Sequence, residues 1–238
     1  MRSRMLVRFL PKQGICSRTQ AFDLIRSGRV SLNGKSVTDP NRTVSASDRI
    51  LIDGKSPLKK SQNRYILFHK PAGCITTRKD EKGRRTVYDA LGDAGGWMFP
   101  VGRLDKDSEG LLLFTNDTAF GDFLTDPANK VRRTYTVTVA GLLSADDVAR
   151  ARRGVDIGRG ERSRPVSIKV LSADAGKTIL EITLIEGKNR EIRRLCEALG
   201  APVTRLVRTA YGPFRLGGLP AGKSRALDGR FCGNILWT

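Results

Sequence analysis

Residues 102–117 constrain the fold more than any other part of the chain, because a charged, turn-prone stretch passes directly into a strongly apolar one. Arg103, Asp105, Asp107 and Glu109 lie within seven residues, and four large apolar residues follow at 111–114. Such a short apolar run is typical of a buried strand. The sequence therefore predicts a charged loop held against a buried strand, which is where proteins often place carboxylates that carry out chemistry.

Three interpretations of this loop are open from residue chemistry. A calcium loop fits the alternating acids, but Asn116 stands at the twelfth position and residues 111–114 are too apolar to supply ligands. A charged turn would pair the neighbouring arginine with an acid for structural reasons. A catalytic carboxylate in a basic cleft is the third interpretation, and residue type alone does not separate Asp105, Asp107 and Glu109.

The overall charge favours a polyanionic partner. The 238 residues contain 43 Lys and Arg against 24 Asp and Glu, a formal net charge of +19. Such an excess suits nucleic acid better than a small-molecule substrate. No apolar run approaches the roughly 18 residues of a membrane span, and the N-terminus has no signal-peptide core. We therefore expect a cytoplasmic protein that binds a polyanion such as nucleic acid and not a membrane.

Histidine and cysteine usage excludes several catalytic classes. The chain has one histidine, His69, and four cysteines that are far apart and form no C-x-x-C pair. A zinc site, disulfides and Ser–His or Cys–His catalysis are therefore not expected. No nucleotide-binding motif is present either, so we expect no metal and no cofactor. Acid–base chemistry must rest on carboxylates, Lys, Tyr or water.

Residues 1–60 form a small basic module with 13 Lys and Arg and only four acids. Ser17 and Gln20 have the form of a helix capping box, and Asn33-Gly34 is a strong hairpin signal. Pro11 is expected to break or kink the first helix. The apolar seam of the second helix is predicted to comprise Ala21, Leu24, Ile25 and Gly28.

The remainder, residues 61–238, is predicted to be a larger domain after a polar linker at 54–64. Strands are expected at 65–68, 74–77, 111–115, 134–139, 166–171 and 179–185. One helix should begin after Ser144, and another should bury Ile192, Leu195, Cys196 and Leu199 and end at Gly200. Strands outnumber helices without regular alternation, which predicts an α+β fold with a mixed, mainly antiparallel sheet.

A strand–glycine–helix junction near residues 186–194 is the second basic feature. A helix start with free amides and cationic side chains binds anions well. Its basic residues are Lys188, Arg190, Arg193 and Arg194.

Several motifs together resemble the pseudouridine synthases, in the branch that acts on ribosomal RNA and carries an N-terminal S4 (α-L) RNA-binding module. The central motif is Gly102-Arg103-Leu104-Asp105 followed by Ser108-x-Gly110-Leu111-Leu112-Leu113-x-Thr115-Asn116-Asp117. Matching landmarks are Lys70-Pro71-Ala72-Gly73, Thr76-Thr77, Arg133-Thr134-Tyr135 and residues 186–194. In the S4 module they are Ser17-Arg18, Gly28-Arg29-Val30 and Asn33-Gly34. Ser108, His69 and Arg133 depart from the residues usual in the family.

The resemblance implies that uridine is isomerised to pseudouridine with Asp105 as the catalytic carboxylate. Arg193 is then the candidate to pair with Asp105, Tyr135 would stack on the uracil, and Arg103 would hold the RNA open or anchor a phosphate. The target nucleotide must be flipped out to reach the site. Further candidate RNA-binding residues are Arg18, Arg26, Arg29, Lys188, Arg190 and Arg194.

The expected partner is ribosomal RNA or a ribosome-assembly intermediate, bound by a monomer. Residues 186–194 and 211–213 favour a large-subunit (23S) target over a 16S target. Two alternatives remain open at this stage. One is a non-catalytic ribosomal RNA-binding or ribosome-assembly protein of the same fold, and the other is a hydrolase with Asp105 and Glu109 as paired carboxylates.

Overall fold

The described residues up to residue 56 build a small unit around its own core. In the computed structural model, which describes residues 4–13, 15–45, 47–56, 62–93 and 97–235, this unit has two helices and short strands. They are β1 (Arg4–Met5), α1 (Leu6–Lys12), α2 (Arg18–Arg26), β2 (Val30–Leu32), β3 (Lys35–Val37), β4 (Thr43–Val44) and β5 (Ile50–Ile52). The core is apolar and includes Leu6, Leu10, Ala21, Ile25 and Val30.

Local signals in this unit act largely as predicted. The Ser17–Gln20 capping box starts α2, and Asn33 and Gly34, both at positive φ, turn β2 into β3. Pro11 lies inside helix α1, which ends one residue later at Lys12, so the proline does not break the helix at its own position. The seam prediction was wrong at Gly28, because α2 ends at Arg26 and Gly28 lies beyond it with φ +71°.

The rest of the described chain forms one large sheet with helices against it. Its elements up to the middle are β6 (Tyr65–Lys70), α3 (Val87–Leu91), β7 (Phe99–Val101), β8 (Glu109–Thr115), α4 (Thr118–Thr125), β9 (Arg133–Ala140) and α5 (Ala145–Arg153). The following elements are β10 (Val155–Asp156), β11 (Arg162–Ser163), β12 (Ser167–Asp174), β13 (Lys177–Leu184), α6 (Glu191–Ala198), β14 (Val203–Tyr211), β15 (Phe214–Arg215), β16 (Ser224–Ala226) and α7 (Gly229–Asn234).

The nine-stranded sheet runs in the order β12-β13-β9-β14-β8-β6-β16, with β15 beside β14 and β7 beside β8. Only the β14–β8 pair is parallel among these described pairings. The predicted α+β class with a mixed, mainly antiparallel sheet is confirmed. The expected linker at 54–64 includes residues 57–61, which lie outside the described residues, so the division at residue 60 stays a prediction.

One predicted strand is wrong. Residues 74–77 contribute only an isolated bridge between Ile75 and Thr86 and otherwise form an irregular segment. The Thr76 side chain bonds to Leu104 in the loop of Asp105 instead of to a neighbouring strand. The apolar run at 111–114 is fully buried inside β8, as the sequence predicts. All four cysteines are buried and free.

Candidate active site

The loop of Asp105 connects β7 to β8 at the middle of the large sheet. Strand register aligns five residues in one row across the sheet close to this loop. Along β6, β8, β14, β9 and β13 the row consists of Lys70, Gly110, Arg208, Tyr135 and Ile182. Since adjacent strands lie about 4.8 Å apart, Tyr135 is about 10 Å from Gly110 along the row. Residues far apart in sequence are thereby brought beside one loop.

The backbone of this loop is fixed by hydrogen bonds at every carbonyl from residue 104 to residue 108. Thr76 Oγ1 donates to the Leu104 carbonyl (2.7 Å), the Ser108 amide to that of Asp105 (3.1 Å) and the Gly73 amide to that of Lys106 (2.9 Å). An Arg193 Nη donates to the Asp107 carbonyl (2.9 Å), and Lys70 Nζ donates to the Ser108 carbonyl (2.7 Å). The Leu104 amide also donates to Thr76 Oγ1 at 3.2 Å. Because both neighbours of Asp105 are held, the carboxylate is presented from a rigid turn.

Lys70 is the central support of the loop. Its side chain is completely buried at the end of β6, and Nζ donates to the carbonyls of Ser108 (2.7 Å), Pro71 (3.1 Å) and Lys106 (3.2 Å). Burial lowers the pKa of Lys70, while the negative charges of nearby groups, including Asp105, oppose that shift. Three carbonyl oxygens replace the water lost by the ammonium group. The sequence marks Lys70 only as a motif landmark and does not reveal this role.

The Asp105 carboxylate itself is accessible and lies beside a cation. Its side chain is 40% exposed, and Arg190 Nη1 lies 3.8 Å from Asp105 Oδ2. Arg190 has a left-handed backbone (φ 49°) immediately before helix α6. The structure therefore brings together an exposed carboxylate and an arginine that the sequence analysis assigned only to RNA.

The predicted ion pair between Arg193 and Asp105 is not formed. Arg193 instead donates to the backbone carbonyls of Asp107 (2.9 Å) and Val203 (3.3 Å), so it joins helix α6 to the loop and to strand β14. The resemblance had implied Arg193 as the partner, but α6 starts at Glu191, which leaves Arg190 outside the helix and turned toward the carboxylate. Arg193 thus supports the loop backbone, and Arg190 approaches the carboxylate.

Tyr135 lies on β9 between two parts of the core. Its partly buried ring packs against the cluster under α5 and α6 and against the cluster that contains Leu104. Leu104 directly precedes Asp105, so the tyrosine borders the loop. This position is compatible with stacking on a base, and it also shows that the ring is partly used in core packing.

Gly110 and Arg208 fasten the start of β8 to β14. A Cβ at Gly110, where φ is +105°, would lie 2.3 Å from the carbonyl oxygen of Arg208. The buried Arg208 side chain donates from Nε to the Leu111 carbonyl at 2.7 Å and lies over the ring of Tyr211. Only glycine permits this close approach of the two strands.

The two acids beside Asp105 have different surroundings. Asp107 is exposed and contributes its backbone carbonyl to Arg193. Glu109 forms a two-contact pair with Arg205, each contact at 3.1 Å. The hydrogen bond from Arg205 lowers the pKa of Glu109. Glu109 is therefore committed to an ion pair, whereas the Asp105 carboxylate is met only by Arg190 among the described residues.

Two of the predicted RNA-binding residues at the junction are used inside the protein. Lys188 Nζ donates to Glu186 (2.8 Å) and to the Arg162 carbonyl, and Arg194 pairs with Glu161. The Arg194 side chain is only 12% exposed. The buried Glu191 accepts from Ser163 at 2.7 Å, and burial raises its pKa. Lys188 and Arg194 therefore hold the junction together and offer little charge to a ligand.

The other candidate RNA-binding residues are exposed. Arg103, Arg18 and Arg26 are at the surface, with Arg26 over the ring of Phe22. Arg29 is half-exposed and forms a bidentate pair with Asp53 at 2.6 and 2.8 Å. Part of the predicted basic face of the N-terminal unit is thus neutralised by its own acid.

No cluster of three or more His, Cys, Asp or Glu suited to a metal ion occurs in the described part of the chain. Across the same residues, no helix has both the length and the apolar character needed to cross a bilayer.

Two family models match the chain. Residues 64–198 match the RNA pseudouridylate synthase family, and residues 6–50 match the S4 domain.

Several known proteins resemble the chain over most of its length. Ribosomal large subunit pseudouridine synthase B of Bacillus subtilis (strain 168) is 36% identical over 224 residues, which cover 93% of this chain and 91% of the relative. The protein of the same name from Yersinia pestis is 38% identical over 234 residues, covering 94% and 72% respectively. A crystal structure of a pseudouridylate synthase superposes with a TM-score of 0.70 at 27% identity, covering 98% of this chain and all of that one.

Proposed function

This chain belongs to the RNA pseudouridylate synthase family, and we propose that it isomerises a uridine of large-subunit ribosomal RNA with Asp105 as the catalytic carboxylate. The names of the Bacillus subtilis and Yersinia pestis relatives support the large-subunit target. A ribosomal RNA substrate also favours a cytoplasmic location. The observation that carries the catalytic assignment is the exposed Asp105 carboxylate on a loop in which every backbone carbonyl from residue 104 to residue 108 accepts a hydrogen bond.

Isomerisation breaks the bond from C1′ to N1 of the base and forms a bond from C1′ to C5. The proton on C5 leaves and N1 gains one, so the reaction needs no outside oxidant or second substrate. Cleavage of a glycosidic bond calls for a carboxylate positioned near C1′. Asp105 meets this requirement, because its backbone is immobilised while its carboxylate faces solvent beside Arg190.

The supporting residues receive distinct roles in this proposal. Arg190 would keep the Asp105 carboxylate charged and oriented, since an opposite charge favours the ionised form. Arg193, Lys70 and Thr76 would act as positioning residues through the loop backbone. Tyr135 would contact the flipped uracil from strand β9, which is separated from β8 by β14. Precise positioning matters, because a displacement of about 1 Å can lower a rate by about a hundredfold.

RNA binding would rest mainly on charge. Phosphate contacts supply affinity and register, while unpaired bases and RNA shape supply selectivity. The exposed Arg103, Arg18 and Arg26 are suited to phosphates. The S4 domain would provide a second attachment point and raise the effective concentration of the target at the active site.

Pseudouridine mapping of ribosomal RNA from cells with and without the gene tests the proposal. We expect one or more large-subunit sites to disappear on deletion and to return with the wild-type gene or with Asp107→Asn. Asp105→Asn should leave those uridines unmodified at wild-type protein levels. Asp107→Asn is a matched control, because it makes the same chemical change two residues away on the same loop.

Three outcomes would contradict parts of the proposal. If deletion removes no site, ribosomal RNA is not the substrate, and the non-catalytic binding alternative gains support. If Asp105→Asn restores the sites, the catalytic residue is misassigned. If the lost sites lie in 16S RNA, the large-subunit target is wrong.

A further inference from the structure

Residues 150–169 form a second concentration of positive charge, separate from the S4 domain and from the loop of Asp105. This stretch of 20 residues contains seven Lys and Arg and two acids. One of the acids, Glu161, is paired with Arg194. The cations are Arg150, Arg152, Arg153, Arg159, Arg162, Arg164 and Lys169.

Part of this stretch lines a cleft of about 580 Å³ between helix α5 and the start of strand β12. Arg152, Arg164 and Lys169 supply its charge, and no carboxylate lines its wall. Its apolar surface comes from Pro165, Val166, Ile168 and Ile185, and Val166 is 46% exposed. A cleft of this size admits a group as large as a nucleotide.

The three cations of the cleft are available to a ligand to different degrees. Arg152 is oriented by a 2.9 Å hydrogen bond from Nη2 to the Ile168 carbonyl. Lys169 has a 65% exposed side chain and only a distant partner, Glu181, at 3.9 Å. Exposed Arg164 makes no hydrogen bond or ion pair with any residue that the structure describes. Among the described residues, Arg152 and Arg164 therefore have no acidic partner, and Lys169 has one only at 3.9 Å.

The basic stretch at 150–169 and its cleft lie close to the active site. Arg159, in the turn between β10 and β11, donates to Asn189 at 3.3 Å, and the neighbouring Arg190 reaches Asp105. Ile185 lines the cleft and precedes Arg190 by five residues, so at most about 18 Å of chain separates them. An RNA strand with its target at Asp105 could therefore extend a few nucleotides into the cleft.

We propose that the cleft lined by Arg152, Arg164 and Lys169 is a second RNA-binding site, which holds phosphates of the substrate strand flanking the target uridine. The inference rests on the proposed function, because it assumes an RNA substrate at Asp105. Phosphodiester groups are the ligand that best fits three cations without a carboxylate. The apolar wall would receive the ribose or an unstacked base of the same nucleotide.

The test compares two double variants that each remove two positive charges. Arg164→Gln with Lys169→Gln changes the cleft. Lys223→Gln with Arg230→Gln is the matched control near β16, at the opposite edge of the sheet. The full-length protein is titrated with large-subunit ribosomal RNA transcribed in vitro, at salt concentrations from 50 to 200 mM.

The association constant falls with salt, and each lost phosphate contact makes the slope of log affinity against log salt less steep by about 0.7–0.9. The cleft variant should therefore bind more weakly at low salt. Between 50 and 200 mM salt, the fold-loss of affinity of the wild type should exceed the fold-loss of the cleft variant by a factor of about eight. The control should follow the wild type. Equal Kd and equal slope for the two double variants would overturn the proposal.

A charge-reversal variant, Arg164→Glu with Lys169→Glu, provides a second readout. It should weaken RNA binding further than the glutamine variant does. Unchanged binding would overturn the cleft as an RNA site, and the cations of the cleft would then serve a different anionic partner. The binding measurement does not require turnover. A wild-type protein that binds through the cleft but forms no pseudouridine would refute the proposed function alone, so the two failures are distinguishable.

Discussion

Gly110→Ala should destabilise the protein strongly, because no side chain fits where strand β8 meets β14. A Cβ at this position would lie 2.3 Å from the carbonyl oxygen and 2.6 Å from the nitrogen of Arg208. Ordinary contact begins near 3.4 Å, so the strands must separate by about 1 Å. Both obstructing atoms belong to the backbone, which cannot rotate away as a flexible side chain can.

The expected cost follows from what this separation breaks. Alanine at φ +105° adds about 1–3 kcal/mol of backbone strain. Hydrogen bonds of the short β14–β8 pair are worth about 1 kcal/mol each, and the bond from Arg208 to the Leu111 carbonyl about 1.5–3 kcal/mol. The total is about 5 kcal/mol, which corresponds to a fall in Tm of about 10–20 °C for a chain of this size.

Gly141→Ala is the matched control, since Gly141 has a similar φ of +92° but nothing within 4 Å of its Cβ position. Only the strain should remain, and Tm should fall by about 4–8 °C. Thermal unfolding followed by circular dichroism measures both variants. If their Tm values differ by less than about 3 °C, the close approach of the two strands does not control stability and the reasoning is refuted.

Three further predictions concern the loop and its charges. Lys70→Met should lower kcat for pseudouridine formation by about a hundredfold, because it releases the loop carbonyls. Its effect on Tm should be much smaller, because the substitution also removes a buried charge. A large fall in Tm alongside the loss of kcat would contradict a positioning role. Thr76→Val should lower kcat, while Thr76→Ser keeps the hydroxyl bonded to Leu104 and should restore it; failure of the serine variant to do so would contradict this role. Arg205→Met should lower Tm at pH 7 by about 2–4 °C, because the pair keeps the folded pKa of Glu109 below its unfolded value. That contribution is present above the unfolded pKa and is lost as pH falls through the folded pKa, so the Tm difference should shrink as the solution is made acidic; a constant difference would contradict it.

Local sequence patterns were sufficient where the physical cause is local. The Ser17 capping box, the Asn33-Gly34 turn and the burial of residues 111–114 depend on neighbours within a few residues, and all three are observed. The α+β class followed from counting strands and helices. Asp105 was singled out from Asp107 and Glu109 only by resemblance to a family, because the three acids have the same chemistry.

Contacts between distant residues account for the predictions that failed. The segment at 74–77 is rich in β-branched residues, which favours a strand, but Thr76 bonds to Leu104, 28 residues away, in place of a neighbouring strand. The choice of Arg193 over Arg190 rested on the family resemblance. The left-handed turn at Arg190, which no periodicity reveals, directs that arginine to Asp105.

The sequence by itself determined the basic character, the α+β class, the N-terminal unit and the identity of the charged loop, because these depend on composition and on short-range patterns. Only the tertiary structure decided which groups hold that loop. Lys70 bonds to carbonyls 36 and 38 residues later, and Arg193 to one 86 residues earlier. Backbone carbonyls are identical in every residue, so a sequence carries no sign of which of them a buried lysine will meet.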